Sequence, residues 1–157
     1  MNVRGIASDT GDEMTLELPD FSAEEIGQLS NLSLSSNELK SKIDNLAISA
    51  DAKVLLFQFA KQVVRVGETV VKIGQKVLET ILAVIKAYPH TSFGLVFGAV
   101  AGTLVGTIPM IGWVLGPLVT PIFILFGMSV GAVMDIADKA VERRIKASLA
   151  QYEPLRG

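Results

Sequence analysis

Residues 91–134 contain no Asp, Glu, Lys or Arg, and this run of 44 residues constrains the chain more than any other feature. One membrane-crossing helix needs about 20 apolar residues. Forty-four exceed one helix and suffice for two with a turn between them. Pro109, Gly112, Gly116, Pro117 and Pro121 mark the turn, which divides the run into helices over 92–108 and 118–134. At 17 residues each, these helices are at the short end for spanning.

The first of them repeats one residue type at a fixed interval: Gly94, Gly98, Gly102 and Gly106, one glycine every four residues. In lipid, apolar side chains do not drive helices together, and glycine lets two backbones approach for dispersion contacts. The second helix carries Gly127 and Gly131. These six glycines are the candidate packing and self-association residues of a hairpin of two transmembrane helices.

Charge is sorted along the sequence. Residues 1–50 hold nine acids and three bases, residues 51–90 three acids and six bases, and residues 135–157 four acids and five bases. With basic flanks on both sides of an uncharged turn, the positive-inside rule places both ends of the hairpin on the cytoplasmic side. The expected localisation is integral to a bacterial cytoplasmic membrane with both termini cytoplasmic. Tyr88, Lys86, Arg143, Arg144 and the indole of Trp113 are the candidate membrane-interface residues. The first twenty residues include four acids by position 17 and no apolar core, so membrane entry is expected to rest on the internal stretch.

Residues 51–88 read as one long basic amphipathic helix. Leu56, Val63, Val70, Val77 and Val84 form one heptad column, and Phe57, Val64, Val71, Leu78 and Ile85 another. Four such columns cover an apolar arc of about 160°. Gly67 and Gly74 lie near its middle. Each costs about 1 kcal/mol against alanine inside a helix, which a closely approaching partner helix would offset. The N-terminal segment 1–50 is acidic and polar, either short helices or partly disordered. Ser22 with Glu25 and Ser35 with Glu38 fit capping boxes, and residues 14–18 alternate as a short strand does. Residues 135–157 read as a charged C-terminal helix and tail.

The fold expectation is therefore an all-α membrane protein: a long amphipathic helix, a glycine-rich transmembrane hairpin and a charged C-terminal helix. The plan is similar to the membrane-active part of several bacterial toxins and effectors, a similarity of pattern that carries no residue assignments. No phosphate-binding loop, cysteine or second histidine is present, so thiolate chemistry and a multi-histidine metal site are excluded. The chain is expected to be no enzyme and to use no cofactor. The expected partners are a lipid bilayer, further copies of the chain and a protein that meets residues 1–50, with no nucleic acid. Two functions stand open. One is a membrane-permeabilising, pore-forming oligomer; the other is an anchor, scaffold or complex subunit that presents the acidic segment.

Overall fold

The computed structural model describes residues 1–127 and 138–156. Its elements are β1 (Asn2–Ile6), β2 (Glu13–Glu17), α1 (Ala23–Ser30), α2 (Ser36–Asp44), α3 (Ala50–Ala60), β3 (Val64–Val66), β4 (Thr69–Val71), α4 (Ile73–Ala87), α5 (Phe93–Thr107), α6 (Pro109–Leu125) and α7 (Lys139–Leu149), followed by a 3₁₀ segment Ala150–Leu155. The strands form one antiparallel sheet in the order β2-β1-β3-β4. The all-α expectation is thus overturned: the architecture is mixed, with seven α-helices and a four-stranded sheet among the described residues.

The N-terminal segment contributes half of that sheet. In β1, Val3 and Gly5 face inward while Asn2, Arg4 and Ile6 face out. Both capping boxes form: Ser22 and Ser35 accept from the backbone of Glu25 and Glu38, whose carboxylates accept in return from the serine amides. Each reciprocal pair satisfies two of the orphan donors at a helix start.

The long helix over 51–88 is also corrected. Residues 61–72 leave the helical path and form the β3–β4 hairpin, splitting the segment into α3 and α4. Five valines and Thr69 crowd this stretch, and β-branched side chains favour strands over helices. Its valines satisfy a heptad column and a strand alternation equally well. Gly67 decides between them: its φ of +60° starts a two-residue turn that no helix accommodates. Val64 and Val66 are buried and Arg65 is exposed, as a half-covered strand requires.

The transmembrane hairpin and the integral-membrane localisation are corrected as well. No helix among the described residues is long and apolar enough to cross a membrane. Helices α5 and α6 have 15 and 17 residues, about 22 and 25 Å against a hydrocarbon core of about 30 Å. Their inner faces are core. Val96, Phe97, Val100, Met110, Ile111, Val114 and Ile122 are fully buried among α3, α4, α7 and β1. The turn lies elsewhere than its composition suggests. Ile108 alone connects the two helices in extended conformation (φ −115°, ψ 107°), as a residue before proline prefers, and Pro109 opens α6. The helix then runs through Pro117 and Pro121. Both prolines are half-buried, and they cannot supply the N–H donors that the carbonyls of Trp113 and Pro117 would otherwise receive four residues on.

Candidate functional site

The hairpin's two sides are chemically different. Inside, five phenylalanines from three helices form one aromatic cluster around Phe97. Its ring centroid lies 5.6 Å from Phe59, 6.0 Å from Phe93, 6.0 Å from Phe123 and 5.8 Å from Phe126. Two glycines of the repeat face these rings with space for a Cβ at ordinary contact distance. A Cβ on Gly94 would stand 3.6 Å from the Phe126 ring, and one on Gly102 would stand 3.4 Å from Phe123 Cζ. Gly98 is buried in the same helix. Gly106 faces nothing within 4 Å. The stripe therefore receives aromatic rings of α6 over part of its length and opens to the surface at its end.

Outside, the hairpin exposes Thr103, Gly106, Thr107, Pro109, Thr120, Ile124 and Leu125. No charged residue belongs to this face, because α5 and α6 contain none. Ile124 is 66% exposed, the most exposed large apolar residue among those described. With Asp51, Val54 and Leu55 of α3, and with Pro121 and Leu125, it borders an open and mainly apolar depression of about 440 Å³.

The remaining singled-out residues are distributed over the molecule. Gly67 occupies the β3–β4 turn and donates its N–H to the Asn2 carbonyl at 2.8 Å. Gly74 is buried where α4 starts against the end of α3, and a Cβ there would run into the carbonyl of Phe59. Gly127 follows α6 with φ +71° and donates to the Ile124 carbonyl, terminating that helix. Gly131 lies outside the described residues. Trp113 is within α6, and its indole N–H donates to the Asp12 carbonyl at 2.9 Å, tying the helix to the β1–β2 turn. Tyr88 is the half-buried C-cap of α4, and Lys86 is exposed two residues earlier. Arg143 and Arg144 are exposed on α7.

Composition gave no hint of two further close approaches. Gly5 of β1 lies against Val114 and Met110 of α6 without room for a Cβ, and a Cβ on Gly112 would stand 2.7 Å from the Val105 carbonyl oxygen. Both glycines sit where one element crosses another tightly.

The polar face of α4 does not simply meet solvent. Glu79 accepts from the backbone N–H groups of Ser33 (2.6 Å) and Leu34 (3.3 Å), and Lys76 Nζ donates to the Asn31 carbonyl at 2.7 Å. The α1–α2 loop is thereby latched onto α4 through a carboxylate, an ammonium and the Gln75 amide, which donates to the Leu34 carbonyl at 2.9 Å. Partial burial pushes the Lys76 ammonium below the usual lysine range, with Glu79 opposing. On the same helix, Thr80 Oγ1 lies 2.7 Å from the hydroxyl of the buried Tyr152, whose burial raises its pKa while the Thr80 bond opposes. Glu79→Ala is expected to cost about 1–2 kcal/mol and to raise hydrogen exchange at Ser33 and Leu34 while amides in α5 keep their protection. Unchanged exchange at these two positions would refute the latch.

At the other end, the carboxylate of Asp138 caps α7 by accepting from Ala140 N–H at 2.9 Å and lies 3.4 Å from His90 Nε2. The Ala140 bond is the main reason its pKa is lowered, and Lys146 and Lys139 lower that of Glu142. Both groups bind protons more weakly folded than unfolded. Their stabilisation is therefore present above the ordinary carboxylate pKa, near about 4, and is lost as pH falls through the lowered values. Amide signals of α7 are expected to broaden on acidification in that window, and Asp138→Asn with Glu142→Gln to remove the effect. An α7 that loosens identically in the double variant would refute this assignment.

No family model, curated protein or solved structure matches this chain.

Proposed function

We propose that this chain is a non-enzymatic protein that perturbs membranes by laying the uncharged outer face of α5–α6 into one leaflet. The observation that carries the reading is that face: seven exposed positions on two adjoining helices, none charged, with Ile124 and Leu125 protruding at one end. Three of the seven are threonines; the apolar part is the patch that Ile124 and Leu125 form beside Val54, and exposed apolar patches of this kind mark membrane or partner contact. Helices of 15 and 17 residues suit shallow insertion, which displaces headgroups without crossing the bilayer. The open end of the glycine stripe at Gly106 offers a contact for a second copy once the face is covered by lipid.

Dye release from vesicles of mixed zwitterionic and anionic lipid tests the reading. Wild type is expected to release the dye and to float with the vesicles. Thr103→Lys with Ile124→Lys, both at exposed positions, is expected to lower release about tenfold, since a lysine is costly even at modest depth. Retained dye together with failure to float would overturn the proposal.

The alternative, a scaffold that presents its acidic segment, is favoured by one observation. Strand β2 is a sheet edge whose Glu13, Thr15 and Glu17 are exposed, with Asp12 and Asp20 beside it, a ladder open to a basic partner strand. Charge reversal at Glu13 and Glu17 separates the two readings, because vesicle release does not depend on these residues.

A further inference from the structure

A second concavity lies away from the hairpin's outer face, between α2, α3 and α4. It has a volume of about 420 Å³, within the range of about 300–1,000 Å³ common for small-molecule sites. Its three kinds of lining point to one kind of occupant.

The floor is hydrocarbon, with Leu39 of α2 and Phe57 of α3. The rim carries two cations, Lys40 and Lys61, both exposed. Neither enters an ion pair among the described residues. Lys61 also caps the C-terminal end of α3. Gln75 of α4 forms part of the wall and is only 5% exposed. Both hydrogens of its amide nitrogen are committed, to the Leu34 carbonyl at 2.9 Å and to Glu79 Oε2 at 3.0 Å. That leaves its Oε1 as an acceptor with no donor among the described residues. Exchanging the amide's oxygen and nitrogen would set an oxygen against two acceptors, so the assignment is fixed by its neighbours.

This acceptor is reached by water in the open groove and has no protein donor among the described residues, so a ligand hydroxyl can take the water's place. Two unpaired ammonium groups beside it attract an anion. An apolar floor accepts an alkyl chain. We propose that this groove binds a hydroxylated medium-chain carboxylate. Its carboxylate would sit between Lys40 and Lys61, its hydroxyl would donate to Gln75 Oε1, and its chain would lie along Leu39 and Phe57. A peptide strand suits the groove less well, because its series of backbone donors would meet a single free acceptor. The proposal is independent of the membrane reading, since none of these residues belongs to α5 or α6.

Isothermal titration of the full chain with 3-hydroxydecanoate, kept below its micelle concentration, tests the assignment. One-to-one binding is expected. Lys40→Glu with Lys61→Glu is expected to raise Kd about tenfold or more, as loss of the charge-assisted contacts requires. Both lysines are exposed, so the variant should still fold cooperatively, its melting temperature lowered only by the acid placed at the C-terminal end of α3, and retained folding separates lost binding from lost structure. Decanol is expected to bind about tenfold more weakly than the acid, and decanoate several-fold more weakly than its hydroxylated form. Silence at millimolar ligand overturns the proposal, as does equal binding of acid and alcohol, undiminished binding by the double variant, or a hydroxyl that adds nothing. A signal that appears only with micelles or vesicles does the same, since it would reassign the lysines to a lipid surface.

Discussion

Gly74→Ala is expected to destabilise the chain by about 3 kcal/mol or more, a fall of about 10 °C in Tm. A methyl group at this position would overlap the carbonyl of Phe59, and the surrounding residues Phe59, Ile73, Val77 and Leu78 are at most 1% exposed. The site cannot yield by rotating a flexible side chain, because the obstacle is backbone. The close approach serves a purpose: Lys72, the N-cap of α4, provides no side-chain cap, and the Gly74 N–H donates instead to the Gln62 carbonyl at 3.1 Å. Pushing α4 outward would strand that donor as well as open the core. Gly106→Ala is expected to act in the opposite direction. It lies in α5 with nothing within 4 Å of a Cβ, so alanine would gain up to about 1 kcal/mol of helix propensity. Urea denaturation of the two variants checks the pair. Equal effects of one sign would show that these glycines are set by composition rather than by local geometry.

Phe97→Ala is expected to cost about 3–5 kcal/mol. Phe97 is fully buried and holds rings from α3, α5 and α6 in edge-to-face or stacked contact at 5.6–6.0 Å. Truncation removes four aromatic contacts at once, each worth about 0.5–1.5 kcal/mol beyond its area, and leaves a cavity between helices. Phe126→Ala is expected to cost less than half as much, because that ring is half-buried and its aromatic partners among the described residues are Phe93 and Phe97. A double-mutant cycle on Phe97 and Phe123 should return a coupling of about 1 kcal/mol. If Phe97→Ala melts within 2–3 °C of wild type, roughly 1 kcal/mol, the cluster does not hold the hairpin in the fold.

These two positions also mark how differently the parts of this chain can be read. Features that depend on residues three or four apart are written in the sequence. The serine–glutamate boxes at 22/25 and 35/38 formed because both partners are local and the geometry is that of a single turn. The end of the first helix at Ile108 follows from proline's own covalent restriction on that residue, although the turn expected beyond Pro109 is helix. Absence of charge across 91–134 is likewise a property of composition alone.

Other features were settled by residues far apart in the chain. The stretch 61–72 satisfied helical and strand periodicities together. The choice fell to β1, which pairs with β3 through Val3, Arg4 and Gly5, some sixty residues away. An uncharged hairpin is equally suited to lipid and to a protein core. Here α3, α4, α7 and β1 bury its inner face, and only its outer face remains uncovered. Glycine spacing was visible, but what each glycine meets was not. Phe123 and Phe126 fill the stripe at Gly102 and Gly94, while the tightest crossings fall at Gly5 and Gly74. Spacing along a helix reports which residues share a face; only the tertiary structure decides which surface that face meets, because that depends on long-range packing.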